Sequence, residues 1–244
     1  MSLQKVILEI ITQQHLQGVV AIYRGVEGSG KTTLAKKFAD GFGNSGDFIP
    51  FSQHLQAYAE GKGKSHPMAK AALVKMAKRE KDIDHRFLCS ALRSALGCVS
   101  PTTSVISIEG WLRQIDQCKD TLQLVADRFP HHLLVVIEVT CGMESALARA
   151  LSRGGNTDKE ELIVKCHREY EAKRDHISRA CEDWAHTLTV SAEGEPEETF
   201  SNLVQAFDGL KNRLAKKEVE FKTPANIFGW HEEDQSFGSA LAAA

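Results

Sequence analysis

Apolar residues along this chain occur in two patterns, as short continuous runs and as longer stretches with helical spacing. The first run, "GVVAIYRG" (residues 18–25), is rich in β-branched residues and is bounded by glycines. Such a run predicts a strand that is buried on both faces, as strands in parallel sheets are. Four later runs predict further strands: "FIPF" (48–51), "SVISI" (104–108), "LLVVIEV" (133–139) and "TLTV" (187–190).

Helix-forming sequence separates each predicted strand from the next, which predicts an α/β fold with a parallel sheet and right-handed crossovers. In such sheets, ligands gather at the carboxyl ends of the strands. Residues 1–17 carry apolar residues at helical spacing and predict an amphipathic helix that leads into the sheet. A last helix is predicted to start at Pro196, with one apolar face formed by Phe200, Leu203, Val204, Phe207 and Leu210.

Two stretches are too long to be simple crossovers. Residues 52–98 predict a small helical insert, and residues 144–184 predict two helices around the polar break "RGGNTDKEE", so we expect both to be movable covers. We therefore expect one domain with a core at 18–47, 99–143 and 185–214, an insert at 48–98 and a lid region at 144–184. Periodicity stops in the tail, 215–244, whose scattered aromatic residues offer contacts to a protein partner.

Charge and composition narrow the classes of partner. Lys and Arg number 30 against 32 Asp and Glu, so the chain lacks the basic surplus that nucleic-acid binders carry and we expect no nucleic-acid partner. No apolar run is long enough to cross a bilayer, and Glu9 interrupts the segment where a signal peptide would need apolar residues, so we expect a cytoplasmic protein with no membrane contact. The six cysteines form no CxxC pair and are expected to be reduced thiols.

The stretch "GVEGSGKTT" (residues 25–33) carries the strongest chemical signal in the chain. Gly25-x4-Gly30-Lys31-Thr32 matches the P-loop pattern, with a predicted strand before it and a predicted helix after it. In such a loop, backbone N–H groups hold the phosphates of ATP, the lysine reaches the β and γ oxygens, and the threonine hydroxyl binds Mg²⁺. The predicted nucleotide-binding residues are Gly25, Glu27, Gly28, Ser29, Gly30, Lys31, Thr32 and Thr33.

A second signal follows the third predicted strand, in "SVISIEGWLRQIDQ". Its Glu109 would lie beside the P-loop, where a carboxylate can hold a water of the magnesium shell; a surface salt bridge is the alternative. If a helix begins near Trp111, Arg113 and Gln117 share one face. They would then offer a guanidinium to phosphate and an amide to a base edge, unless that face is merely solvated.

These segments resemble the adenylate kinase family, the P-loop nucleoside monophosphate kinases. Besides the P-loop, "IEGWLRQIDQ" is similar to the family's "hDGFPRxxxQ" segment, with Glu109 in place of Asp. Gly110 and Arg113 are then in register, and Gln117 stands at the position that reads the adenine of AMP. The resemblance implies that Gly110, Arg113 and Gln117 bind the acceptor substrate.

Two later segments extend the resemblance. "LARALSRGG" is similar to the approach to the family's lid, which implies that Arg149 stacks on the ATP base and that Arg153 contacts phosphate. Residues 158–207 resemble the family's last two helices, fifth strand and final helix. The resemblance implies a three-layer P-loop sandwich with a five-stranded parallel sheet, a helical insert for the monophosphate and a short lid. It also implies transfer of the γ-phosphoryl group of MgATP to an AMP-like nucleoside monophosphate, with Lys31, Arg113 and Arg153 as catalytic residues.

The chain also departs from the family's pattern. Two lid positions that carry arginine in the family are Gly155 and Cys166 here, and no arginine occurs from 41 to 78. Lys165 and Arg168, or lysines of the insert, are candidates to replace the missing charge. Two alternatives stay open: a P-loop kinase for a small metabolite of the gluconate or shikimate kind, favoured by "HPMAK" and "FLCSALR", and a catalytically degenerate nucleotide-binding or assembly protein.

Overall fold

A computed structural model describes residues 2–63, 66–77, 83–110, 112, 116–153 and 160–219, with the backbone alone at 116 and 117. The strands are β1 (Gly18–Gly25), β2 (Gly46–Pro50), β3 (Val105–Glu109), β4 (His132–Thr140) and β5 (His186–Ser191). The helices before β3 are α1 (Leu3–Gln13), α2 (Lys31–Asp40), α3 (Phe51–Lys62), α4 (Pro67–Ala77) and α5 (His85–Gly97). Those after it are α6 (Asp116–Arg128), α7 (Met143–Ser152), α8 (Glu160–Glu182) and α9 (Pro196–Ala215).

The five strands form one parallel sheet in the order β2-β3-β1-β4-β5. Successive residues of a strand point to opposite faces, and β1 divides accordingly. Val19, Ala21 and Tyr23 pack with α1, α2 and α9, whereas Val20 and Ile22 pack with the core formed by α3–α6 and the end of α8. The predicted α/β sandwich of three layers around a five-stranded parallel sheet is confirmed.

The predicted strand at 48–51 differs from β2 at both ends. β2 begins at Gly46, and residues 46–50 pair in parallel with β3. Phe51, expected to end that strand, is the first residue of α3. Pro50 explains the position of the break, because a proline without an N–H is tolerated at the end of an edge strand and ends it there.

The segment after β3 has an unusual backbone. Gly110 and Leu112 have φ values of 92° and 61°, so Leu112 is not helical, and Asp116 is the first described residue of α6. A left-handed conformation costs a leucine roughly 1–2 kcal/mol. Complete burial of Leu112, which is 0% exposed, offsets that cost because burying a leucine side chain gains about 1.5–3 kcal/mol. The possibility that a helix from near Trp111 carries Arg113 and Gln117 on one face lies outside the described residues, because 111 and 113–115 are not described.

Candidate active site

The glycine loop between β1 and α2 forms a cradle with a positive end. Gly25, Gly28 and Gly30 have φ values of 154°, 84° and 82°, which glycine adopts far more readily than other residues. A Cβ atom at Gly28 would lie 2.1 Å from the Ala146 carbonyl oxygen, so the close approach of the loop to α7 requires glycine. Gly30 is the N-cap of α2, and the first turn of that helix holds no acidic residue. This helix end therefore favours an anion.

Lys31 places its ammonium group over this loop. Its Nζ atom donates to the Val26 carbonyl oxygen at 3.2 Å and lies 3.7 Å from Glu109 Oε1. The two side chains are 15% and 9% exposed, so Glu109 forms neither a surface salt bridge nor an isolated buried charge. The predicted position of Glu109 beside the loop agrees with this geometry, because β1 and β3 are neighbours in the sheet and Tyr23 is the register partner of Glu109.

The hydroxyl groups of the loop complete a set of oxygen and nitrogen groups suited to a metal-bound triphosphate. Thr32 and Thr33 are exposed in the first turn of α2. Ser29 is fully buried, and its Oγ has no hydrogen-bond partner among the described residues. Backbone amides and an ammonium suit phosphate oxygens, whereas hydroxyl and carboxylate oxygens suit a hard cation such as Mg²⁺.

The two arginines of α7 have different surroundings. Arg153, the C-cap of α7, points to the loop, with Nη2 3.9 Å from Glu27 Oε1. Arg149 instead donates to the carbonyl oxygens of Ala192, Glu193 and Gly194, at 2.6, 3.2 and 3.0 Å. Its guanidinium thus holds the loop between β5 and α9, an arrangement that neither the motif nor its spacing indicated.

Glu193 of that loop fastens it to the beginning of α7. Its carboxylate accepts hydrogen bonds from the Gly142 amide and, at 2.7 Å, from Ser145 Oγ. These hydrogen bonds, the one from Ser145 first, lower the pKa of Glu193, as expected for a carboxylate at a helix N-terminus. The β5–α9 loop, α7 and the glycine loop are thereby joined into one wall of the cradle.

A buried polar cluster beside the cradle was not anticipated. Arg24, the residue before Gly25, lies across from Glu138 of β4, with Nη2 3.2 Å from Oε2. Arg24 also donates to Tyr170 Oη at 3.2 Å and Ser178 Oγ at 3.3 Å, and both hydroxyls donate to Glu138, at 2.7 and 3.0 Å. Tyr170 and Ser178 belong to α8, so the cluster fastens α8 to the sheet where the cradle begins.

A signal for this cluster is present in the sequence. Arg24 and Glu138 are charged residues inside apolar strand runs, and a charge in a buried strand requires a partner. Their pairing depends on β1 and β4 being neighbours, and their other partners come from a helix much later in the chain.

Some predicted residues fall outside the described part of the chain. Arg113 and Gly155 are among them, and Gln117 is described only as a backbone position of α6. Cys166 is described and is 9% exposed. The two candidates to replace its missing charge, Lys165 and Arg168, are exposed positions of α8, and Lys165 lies 3.9 Å from Glu169.

Comparison with known proteins agrees with this geometry. The chain is 27% identical over 195 residues to adenylate kinase isoenzyme 1 of Oryctolagus cuniculus, and to the same enzyme of Bos taurus, covering 77% of this chain and 93% of each relative. A gluconokinase structure from Sinorhizobium meliloti 1021 shares the fold with a TM-score of 0.53 and 16% identity, covering 84% of this chain and 99% of that one. No model of a protein family matches the chain.

The chain has the fold of a P-loop kinase, with the glycine loop at the carboxyl ends of its strands. Its sequence is similar to that of adenylate kinases at 27% identity, which confirms the resemblance inferred from the motifs as that of a divergent sequence. Among the described residues, no helix combines the length and the apolar character needed to span a membrane.

Proposed function

We propose that this protein transfers the γ-phosphoryl group of ATP to a nucleoside monophosphate, most readily to AMP. The observation that carries the proposal is the placement of Lys31 and Glu109 together over a glycine loop at the carboxyl ends of β1 and β3. Similarity to two adenylate kinases along 93% of their length supports the acceptor.

Each group around the loop has a defined task in this proposal. The amides of the loop and the N-terminus of α2 bind the phosphates, and the Lys31 ammonium offsets charge on the β and γ oxygens. Arg153, held near the loop, contacts the same phosphates. Thr32 and Glu109 would hold a bound Mg²⁺, Thr32 through its hydroxyl and Glu109 through a water, and the cation would supply further charge neutralisation. No general base is needed, since phosphoryl transfer depends chiefly on positioning and charge stabilisation.

The acceptor side of the proposal depends on the segment after β3. Arg113 is proposed to hold the phosphate of the acceptor, and Gln117 its base, with Gly110 allowing close approach. Gly110 has a φ of 92°, and a Cβ there would lie 2.8 Å from Ser52 Oγ of α3. Glycine therefore lets the segment pass close to the first helix of the insert.

A second candidate function is nucleotide binding without transfer. It is favoured by Cys166, which stands where the resemblance places an arginine and whose side chain is buried and uncharged. Loss of one arginine that stabilises the transition state costs a kinase-type reaction about 10³-fold or more in rate. Under this alternative the cradle still binds ATP, but an acceptor produces no turnover.

A coupled ADP-release assay on the full chain separates these readings. ATP and Mg²⁺ are supplied with a panel of nucleoside monophosphates and, separately, with gluconate and shikimate. The proposal expects turnover with a nucleoside monophosphate and none above the ATP-only rate with the other two. Turnover only with gluconate or shikimate contradicts it, and ATP binding by calorimetry without any turnover supports the second candidate.

The Lys31→Ala variant tests whether the cradle is the working site. We expect loss of transfer by about 10³-fold, because a point charge at the β and γ oxygens is removed. Lys36→Ala is the matched control, since it removes an exposed lysine from the same helix. Comparable activity in Lys31→Ala and Lys36→Ala would exclude the cradle as the site of transfer.

A further inference from the structure

Three side chains that no motif connects meet on the side of the molecule formed by α5 and α6. His85 and Cys89 are four residues apart on α5 and so lie on one face of that helix, and Asp120 faces them from α6. His85 Nε2 lies 2.6 Å from Asp120 Oδ2 and 3.4 Å from Cys89 Sγ. The three ligand atoms all lie within 4.8 Å of one another.

The geometry excludes a Cys-His-Asp relay of the kind found in thiol hydrolases. In such a relay the thiol and the carboxylate contact different ring nitrogens, so that a proton can pass through the imidazole. Here both contact Nε2, and Nδ1 is buried without a hydrogen-bond partner among the described residues. Burial first, and then the Asp120 charge, raises the pKa of Cys89, so its thiol is not an activated nucleophile.

Three donor atoms within 4.8 Å of one another could hold a metal ion. One nitrogen, one sulfur and one carboxylate oxygen suit a borderline cation such as Zn²⁺, whereas Mg²⁺ and Ca²⁺ prefer oxygen ligands alone. Tetrahedral Zn²⁺ would separate its nitrogen and sulfur ligands by roughly 3.6 Å and its nitrogen and oxygen ligands by roughly 3.3 Å. The observed distance of 3.4 Å between His85 Nε2 and Cys89 Sγ is close to the first value. The 2.6 Å between His85 Nε2 and Asp120 Oδ2 would have to lengthen, which requires a small rotation of the Asp120 side chain, and that side chain is 55% exposed.

We propose that His85 Nε2, Cys89 Sγ and Asp120 Oδ2 form a binding site for a zinc-type divalent cation, with a water as fourth ligand. The two helices that carry the ligands are held together by a common core that includes Phe87, Leu88, Leu92, Cys118 and Leu122. The side chain of His85 is 30% exposed, which leaves a path from solvent. A bound cation would link the last helix of the insert region to the helix that follows the proposed acceptor segment.

The test uses Co²⁺ as a spectroscopic probe of the full chain after treatment with a chelator, in excess Mg²⁺. We expect one equivalent of Co²⁺ to produce a thiolate-to-cobalt charge-transfer band and the strong visible absorption of a tetrahedral site. Zn²⁺ should displace the probe and raise the thermal midpoint of unfolding, because it binds the folded chain alone. Absence of the charge-transfer band in the full chain would overturn the proposal.

Variants identify the ligands. Cys89→Ala should abolish the charge-transfer band and weaken Co²⁺ binding beyond the roughly 10–100-fold that loss of a supporting residue costs. Cys98→Ala is the matched control, because Cys98 is an exposed thiol at the C-cap of the same helix. A band that survives in Cys89→Ala, or that disappears equally in Cys98→Ala, contradicts the assignment. Cys89→Ser, which keeps a polar atom of similar size, replaces Cys89→Ala if the latter does not fold.

Discussion

Two ion pairs lie near the carboxyl edge of the sheet, and they differ in almost every physical respect. Arg24 and Glu138 have side chains only 1% and 3% exposed, and α8 supplies hydroxyl groups that bond to both. Lys31 and Glu109 are more exposed, at 15% and 9%, and their charged atoms are 3.7 Å apart. The first pair is enclosed by the protein, whereas the second faces the cradle.

One edge of the sheet thus carries both an ion pair suited to stabilising the fold and an ion pair suited to contacting a ligand. An enclosed pair holds its geometry but cannot exchange partners, because each charge has left water and depends on its hydrogen bonds. A looser pair beside a helix N-terminus can redirect its charge to an incoming phosphate at little cost. We infer that the Arg24–Glu138 cluster positions the start of the glycine loop, whereas Lys31 and Glu109 act on the ligand.

The largest expected effect comes from opening the enclosed pair. Glu138→Ala leaves the Arg24 guanidinium buried without its carboxylate, which should lower the free energy of unfolding by about 3–5 kcal/mol. Urea denaturation followed by circular dichroism measures the change. The double variant Arg24→Met/Glu138→Leu should recover much of the loss, because well-packed apolar residues can replace a buried pair. A loss below about 1 kcal/mol in Glu138→Ala would show that the cluster is not holding α8 to the sheet.

The second prediction concerns the looser pair. Under the proposed function, Glu109→Gln keeps a hydrogen-bond acceptor for Lys31 but removes the charge that orients a metal-bound water. We expect transfer to fall by about 10–100-fold, as for other groups that support a metal site, while the free energy of unfolding changes by about 1 kcal/mol or less. Steady-state kinetics over a range of Mg²⁺ concentrations and urea denaturation provide the two measurements.

The opposite outcome of these two measurements would exchange the roles that we assign to the two ion pairs. A large loss of stability in Glu109→Gln, with transfer unchanged, would assign the structural task to the Lys31–Glu109 pair. Asp127→Asn is a suitable control, because Asp127 is an exposed carboxylate on α6, a helix outside the cradle.

The smallest expected effect is a change in pH dependence. Burial, as the largest cause, raises the pKa of Tyr170 above its ordinary value of 10.0. The unfolded chain therefore loses the Tyr170 proton near pH 10, whereas the folded chain retains it. The contribution of Tyr170 to the free energy of unfolding is thus complete below pH 10 and is lost as pH rises further. Tyr170→Phe should lower stability at pH 8 by about 1–2 kcal/mol and should also flatten the alkaline decline.

Urea midpoints at pH 8 and pH 10.5 measure that decline. Tyr58→Phe serves as the control, because Tyr58 is a half-buried tyrosine outside the cluster. If the urea midpoint falls by the same amount between pH 8 and pH 10.5 in the original chain and in Tyr170→Phe, Tyr170 does not retain its proton in the folded state.

Local sequence predicted the cradle almost completely. The P-loop is a contiguous stretch whose conformation follows from its glycines, and the strand before it is an apolar run that can be identified without knowing its neighbours. The predicted strand at 18–25 matches β1 at both ends. Glu109 was placed correctly because it ends a strand, and the ends of parallel strands share one edge.

Prediction was weaker where backbone geometry depends on burial elsewhere. A buried Leu112 holds a left-handed conformation that helical spacing cannot reveal. Arg149 was predicted as a residue that stacks on a base, and its hydrogen bonds to the β5–α9 loop depend on a segment far along the chain.

The glycine loop, the alternation of strands and helices and the resemblance to kinases could be read from the chain, because each depends on residues close together in it. Which distant polar groups meet depends on the folded arrangement. Arg24 finds Glu138 only because β1 and β4 are neighbours, and His85 and Cys89 find Asp120 only because α5 packs on α6. Contacts of this kind depend on the order of strands in the sheet and on helix packing. Both result from the burial of apolar residues along the whole chain, so no single stretch of sequence reveals them.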